Sequence, residues 1–384
     1  MSKLLQQYEA LASATLEKAQ SLPFKVYQDP SVYDLEAERI FSEDWVFVCS
    51  EHELPEAGDY FALTLAGESI AIIRGKDEQL RVLSNNCRHR GTPLLDEGFG
   101  KVEKNIVCPY HAWTYDDQGK LKGVPFPGST PVDKSTHCLP EFHLDTWLGL
   151  VFINLSERPV PLAERLSGID EYMAVYEPEK FQHGSESKME HWQANWKLAM
   201  ENAMESYHLF KVHKETLETV TPSKESFYVA GCTEWTLTAG KIKDSTSKFM
   251  KWLAGEYPEA YDHYMLISLP PSMVAIMDYD SLSWLCILPE NAEQSVIRSG
   301  FMTKKSYGRE DKASKSFTEA FFAEDKWICE RVQQGMKSRK GKGGKLVDME
   351  RVVVDFHQYL ACRMFQQHRE DFFESEKAAT FKVE

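Results

Sequence analysis

The sequence predicts an α+β protein, in which an all-β domain near the N-terminus precedes a larger domain of helices and antiparallel sheet. Short apolar or alternating runs, separated by Gly, Asp, Asn and Pro, fill the stretch from Trp45 to Asn154. From about Pro161 helical and strand signals mix, and two long helical patterns follow near the C-terminus. The 384 residues allow two or three domains, and 42% hydrophobic content can supply sizeable cores. The boundaries expected are 1–44 for N-terminal helices packing on the larger domain, 45–155 for the β domain and 156–384 for the larger domain.

Taken in order, residues 1–21 read as a helix, with Leu4, Leu5, Tyr8, Leu11 and Leu16 roughly on one face. A second helix is expected around Val32–Phe41. Strands are expected at Tyr60–Leu65, Ser69–Ile73, Leu80–Leu83, Ile106–Val107 and Leu148–Ile153. Trp192–Leu209 reads as helical. Thr233–Ala239, Met273–Met277 and Ser281–Leu288 read as strands of a sheet able to carry a pocket. Lys312–Arg331 and Met349–Gln366 are the long helices, and the Gly/Lys-rich stretch Lys337–Lys345 between them is a solvated loop.

Composition excludes several functions. A formal net charge of −15 argues against a nucleic-acid surface. The first twenty residues hold no apolar core of signal-peptide length, and no apolar run is long enough to span a membrane. Eight cysteines in a chain this long are too few for a disulfide scaffold, so a reducing, cytoplasmic setting is expected. Six of them (Cys49, Cys138, Cys232, Cys286, Cys329 and Cys362) sit singly and read as packing residues.

The strongest chemical signal is NNCRHRGTPLLDEGFGKVEKNIVCPYHAW. Cys87-x-His89 is followed, after a spacer of eighteen residues, by Cys108-x-x-His111. Two mixed Cys–His pairs at hairpin tips can give two thiolates to one iron and two neutral imidazoles to another. Zinc is the alternative for a Cys₂His₂ set, but zinc fingers keep the cysteines together and the histidines together. This stretch resembles the Rieske [2Fe–2S] domain, matching its CxHRG…CPYHxW signature.

A second metal is expected in NWKLAMENAMESYHLFKVH. Two histidines and a carboxylate on one face of an octahedron leave positions open for O₂ and substrate. His208 and His213 are five residues apart, about 140° round a regular helix, so the helix must unwind or end near Leu209–Val212 if both bind one metal. Alone, two such histidines are weak evidence. Together with Asn195-Trp196-Lys197, Glu201-Asn202 and Glu205-x-x-His208, they resemble the mononuclear-iron segment of Rieske ring-hydroxylating oxygenases, and the resemblance covers nearly the whole chain. In AEDKWICERVQQGMKSR the carboxylate candidates are Glu324, Asp325 and Glu330. The resemblance to the carnitine and glycine betaine monooxygenase branch implies Asp325. It also implies that Glu205, an Asp in many ring hydroxylases, links a Rieske histidine to a mononuclear-site histidine between subunits of a homotrimer.

What the family resemblance implies is a terminal oxygenase using O₂ and a small organic substrate. Electrons come from NAD(P)H through a separate flavin or ferredoxin-type reductase, because no dinucleotide or flavin fingerprint occurs here. The substrate is a methylated amine or betaine, held by cation–π contacts from candidates Tyr207, Phe210, Trp235 and Trp284, or an aromatic acid. A Rieske electron carrier without oxygenase activity would need only the first domain. Arg88, Arg90, Lys101 and Lys104 place positive charge near the cluster, where an acidic donor could dock.

Overall fold

A computed structural model describes residues 2–184, 187–243, 262–304 and 312–367. The chain divides into two compact units. One comprises Ala37–Leu162; the other joins Met1–Glu36 to Ala163–Glu384.

The Ala37–Leu162 unit is all-β apart from short helical turns. Its main sheet is antiparallel, in the order Val46–Ser50, Leu150–Asn154, Glu141–Trp147, Leu80–Ser84, Glu68–Arg74, Asp59–Leu65 and Gly98–Lys101. A second, three-stranded sheet joins Ile106–Val107, Thr114–Tyr115 and Leu121–Gly123. Tyr60, Ile73, Leu83, Ile106, Tyr115 and Leu121 pack between these elements, and Cys87 and Cys108 belong to the same core. Burial of apolar side chains drives this collapse, and it fixes the roots of both Cys–His loops.

The two loops repeat one backbone design. The Gly91 N–H donates to the Cys87 carbonyl, and the Cys87 N–H donates to Thr92 O. In the second loop Ala112 N–H donates to Cys108 O, and Cys108 N–H to Trp113 O. The fourth residue after each cysteine is left-handed, Gly91 at φ +73° and Ala112 at φ +54°. Glycine adopts that region freely, whereas alanine is strained there by roughly 1–2 kcal/mol.

The other unit is built on an antiparallel sheet in the order His183–Gly184, Gln294–Thr303, Ser281–Asn291, Met273–Met277, His263–Leu269, Thr236–Lys241 and Ser226–Gly231, with Lys188–Trp192 also paired to Gln294–Thr303. Helices Lys3–Ala12, Trp196–Ala203, Lys312–Met336 and Arg351–Phe365 belong to this unit. The α+β class expected from the sequence is therefore the class observed. No helix among the described residues is long and apolar enough to cross a membrane.

Three elements differ from their expected form. The N-terminal helix stops at Ala12, where Ser13 turns its hydroxyl onto Glu9 O, and only a 3-10 turn, Leu16–Lys18, follows. The helix beginning at Pro30 ends at Glu36 and continues as a π turn through Ala37–Phe41. Trp192–Leu209 is not one helix. Trp192 ends a strand, Asn195 caps a helix that runs only from Trp196 to Ala203, and a separate four-residue turn covers Leu209–Val212.

Candidate metal centres

In the β unit, Cys87 and Cys108 are buried, while His89 is exposed and His111 half-buried. The thiols thus lie inward and the imidazoles outward. The His89 and His111 ring centroids are 4.6 Å apart. Trp113 stacks on His89 at 4.8 Å, nearly parallel, and Tyr110 lies against His111. Burial pushes the Cys87 thiol up, against the pull of the Tyr115 hydroxyl and the His89 N–H. Cys108 is desolvated too, yet the backbone N–H groups of His111 and Tyr110 hold its thiol below the usual value. The Tyr115 hydroxyl lies 3.4 Å from Cys87 Sγ and accepts the Arg88 N–H at 3.0 Å.

One atom makes the fit to a metal cluster specific. His111 Nδ1 is buried with no hydrogen-bond partner among the described residues. A buried, unpaired imidazole nitrogen costs about 1–3 kcal/mol unless something binds it, and a metal would. Two thiols and two imidazoles form the donor set of a mixed Cys₂His₂ cluster.

In the other unit, His208, His213 and Asp325 each turn a ligand-type atom toward the others, all within 4.8 Å. Asp325 Oδ1 lies 2.9 Å from His213 Nε2 and 3.5 Å from His208 Nε2. The helix ends before either histidine, at Ala203 with Met204 as its cap, so the expected unwinding within Leu209–Val212 is replaced by a break upstream. A four-residue turn then separates the rings, whose centroids are 5.0 Å apart.

The remote ring nitrogens are held by two more carboxylates. Glu205 Oε1 accepts from His208 Nδ1 at 2.6 Å, and Glu324 Oε2 accepts from His213 Nδ1 at 2.8 Å. Glu205 Oε2 also receives the backbone N–H groups of Tyr207 and His208. Thr216 donates its hydroxyl to Glu324 Oε2 at 2.6 Å. A carboxylate on each Nδ1–H fixes the tautomer that leaves Nε2 free to bind a metal. Asn202 Nδ2 donates to Asp325 Oδ1 at 2.7 Å.

Burial alone would lower the His208 imidazole, but hydrogen bonds and charge from Asp325 and Glu205 outweigh it and raise it to about 10. His213, equally opposed by burial, is raised by Asp325 and Glu324. Burial would raise Asp325, yet the two imidazoles hold it down at about 2. It is the convergence of three donor atoms within 4.8 Å that fits a divalent cation of the two-histidine, one-carboxylate kind.

The sequence candidates therefore fall into place unequally. Cys87, His89, Cys108 and His111 gather on two adjacent loops, and Asn202, Glu205, His208, His213 and Asp325 gather at the second centre. Glu324, a rival for the ligand position, instead lies on the far nitrogen of His213, and Glu330 accepts the Gln193 backbone N–H at 3.1 Å. The Glu-Asp doublet was the only sequence signal for this use of Glu324, and Thr216 carried none. The four aromatic candidates do not form one box. Trp235 is buried against Tyr172, Trp284 is buried beneath the Arg298 guanidinium, and Tyr207 and Phe210 are exposed. Arg88 and Arg90 are exposed near the cluster loops, but Lys101 is paired with Glu56 and Asp59.

A β unit with a Cys₂His₂ donor set, joined to an antiparallel-sheet unit with a two-histidine, one-carboxylate donor set, defines an oxygenase with an iron–sulfur cluster and a non-haem iron. Residues 44–142 match the Rieske [2Fe-2S] domain, and residues 178–366 match the ring hydroxylating alpha subunit (catalytic domain). The chain belongs to the Rieske non-haem iron oxygenases, whose cofactors are a [2Fe–2S] cluster and a mononuclear iron. It is 28% identical over 360 residues to the carnitine monooxygenase oxygenase subunit of Acinetobacter baumannii, covering 90% of this chain and 93% of that one. It is 36% identical over 200 residues to the glycine betaine monooxygenase oxygenase subunit of Chromohalobacter salexigens, covering 52% of this chain and 44% of that protein. The solved structure of a quaternary ammonium Rieske monooxygenase with L-carnitine superposes with a TM-score of 0.78 at 25% identity, over 95% of this chain and all of that one.

Proposed function

We propose that this chain is the terminal oxygenase that hydroxylates or oxidatively demethylates a small methylated amine or betaine. The observation that carries the proposal is the convergence of His208, His213 and Asp325, in a chain similar almost from end to end to oxygenases named for carnitine. Cys87, His89, Cys108 and His111 would hold the [2Fe–2S] cluster, and His208, His213 and Asp325 the mononuclear iron. When bound, the cluster supplies single electrons and the iron supplies O₂ activation at coordination positions the three protein ligands leave open.

This chain's residues set the conditions for that chemistry. Glu205 and Glu324 hold the two Nδ1 protons, so each Nε2, which faces Asp325, is the nitrogen left to give its lone pair to a bound metal. Asn202 fixes the Asp325 oxygen that meets both rings. The electrons are supplied by a separate NAD(P)H-dependent reductase of flavin or ferredoxin type. Arg88 and Arg90, exposed beside the outward-facing His89, suit an acidic donor surface. The working assembly is a cytoplasmic homotrimer in which Glu205 joins His208 to a Rieske histidine of the neighbouring subunit. Exposed aromatic side chains beside both centres support such contacts: Tyr110 next to His111, and Tyr207 and Phe210 on either side of His208 in the chain.

The test is a substrate panel with a matched reductase, scored by O₂ uptake and formaldehyde release. Methylated amines or betaines should give uptake coupled to product, and His213→Ala should abolish turnover while leaving the visible absorption of the cluster. Coupled turnover of aromatic acids alone would overturn the substrate assignment.

A further inference from the structure

We propose that Glu201, anchored by Tyr27 and His357, is a positioning residue that sets the mononuclear iron site through its neighbour Asn202. Glu201 touches none of the three candidate ligands. Its Oε1 accepts from the Tyr27 hydroxyl at 2.7 Å and from His357 Nε2 at 3.0 Å. One turn earlier on the same helix, Lys197 Nζ meets Glu36 Oε1 at 2.6 Å, and Trp196 Nε1 donates to Glu36 Oε2 at 2.8 Å. Lys197 and Glu36 are both 0% exposed. Residues four apart share a helix face, whereas the next residue lies about 100° round. Lys197 and Glu201 therefore face a buried polar cluster, while Asn202 faces Asp325.

Tyr27 fastens both halves of the metal site. Its hydroxyl goes to Glu201, and its carbonyl accepts from Gln333 Nε2 at 3.0 Å. Gln333 lies on the Lys312–Met336 helix that carries Asp325, and its Oε1 accepts the backbone N–H of Asn195, which caps the Glu201 helix. The helix bearing Asn202 is only eight residues long, so a small rotation would break the Asn202–Asp325 hydrogen bond. A buried ion pair adds little stability over apolar packing of equal volume. What this network supplies is direction: it permits one rotation and one axial position of the helix.

The inference rests on Asp325 being a metal ligand, and the experiment separates the two. Cluster-loaded protein, its mononuclear site emptied with a chelator, is titrated with Co(II) and followed by visible absorption. Glu201→Ala and Tyr27→Phe should each weaken Co(II) binding about tenfold, the lower end of the range for residues that orient metal ligands. Glu201→Gln, whose carbonyl oxygen still accepts, should bind as the unchanged protein does. Glu201→Ala combined with Asn202→Ala should be no weaker than Asn202→Ala alone. Native Co(II) affinity in Tyr27→Phe and Glu201→Ala, with only the melting temperature lowered, would overturn the proposal, as would losses that add in the double variant. If Glu201→Ala does not fold, Tyr27→Phe decides by itself. Asp325→Ala should lose Co(II) binding outright; native binding there would overturn the ligand assignment instead.

Discussion

His213 carries a carboxylate on each ring nitrogen, and the two carboxylates are neighbours in sequence. Glu324 takes Nδ1 and Asp325 takes Nε2. That doublet was visible in the sequence, but nothing in residue type separates a ligand from the group that orients its partner. The distinction comes from side-chain length and from which oxygen also meets His208 Nε2. The Cys–His pairs were more legible, because mixed pairing and flanking Gly91, Tyr110 and Trp113 all point one way. Tyr115 carries no such signal, since a tyrosine two residues after a tryptophan has no spacing signature of its own. Its hydroxyl nevertheless lies within reach of Cys87 Sγ. A donor to a cluster sulfur stabilises the more negative, reduced state and so raises the reduction potential. Tyr115→Phe should therefore lower the potential of the cluster by tens of millivolts in a redox titration, with the fold retained. An unchanged potential would mean that the hydroxyl serves only the Arg88 N–H.

At the scale of elements, periodicity located the long helices and sheet strands well and their ends poorly. Met273–Met277 has the bounds expected, and Lys312–Met336 outruns its expected end by five residues. The sequence carries the helix before the candidate iron site too far, because Met, Glu, Ser and Tyr at 204–207 are all tolerable in helices. The break there follows from Glu205 turning back to take the N–H groups of Tyr207 and His208, a local alternative to the helical ladder. The Arg351–Phe365 helix contains a feature that apolar periodicity could not reveal. Asp355 is buried on it, accepting from the Tyr228 hydroxyl at 2.9 Å. Burial, partly offset by Tyr228 and Arg351, raises its carboxyl to about 7. An acid whose folded pKa is raised keeps its proton in the native state after the unfolded chain has lost it. Its contribution is therefore complete below the ordinary value of 3.8 and declines as pH rises towards about 7. Asp355→Asn, neutral at every pH, should gain in melting temperature relative to the unchanged protein between pH 5 and pH 8. A difference independent of pH would show that Asp355 is already charged at pH 5.

On the scale of the whole molecule, the order of the domains was legible because the two metal motifs lie in separate stretches of different texture. Met1–Glu36 meets Ala163–Glu384 in part through long-range polar contacts, such as Tyr27 to Glu201 and Trp196 to Glu36; the sequence suggests N-terminal helices on the larger domain, but no local pattern encodes these partners. The proposed trimer belongs to this scale, and Glu205 is where it can be tested. Within the chain, Glu205 already satisfies His208 Nδ1 and two backbone N–H groups, and its side chain is only 10% exposed. Each carboxylate oxygen accepts more than one hydrogen bond, so Glu205 can also receive a histidine N–H from a neighbouring subunit. A ring of three identical head-to-tail contacts satisfies every such pair, which a single chain or an open pair would not. Glu205→Gln keeps the size of the side chain but removes its charge and half its accepting capacity. The variant should retain both metals and a reducible cluster while losing most substrate turnover, and a pre-reduced cluster should reoxidise slowly in stopped-flow mixing with O₂ and substrate. Sedimentation should report a trimer for both proteins. Normal, tightly coupled turnover in Glu205→Gln would remove Glu205 as the link between centres, and full activity of a dilute monomer would remove the trimer with it.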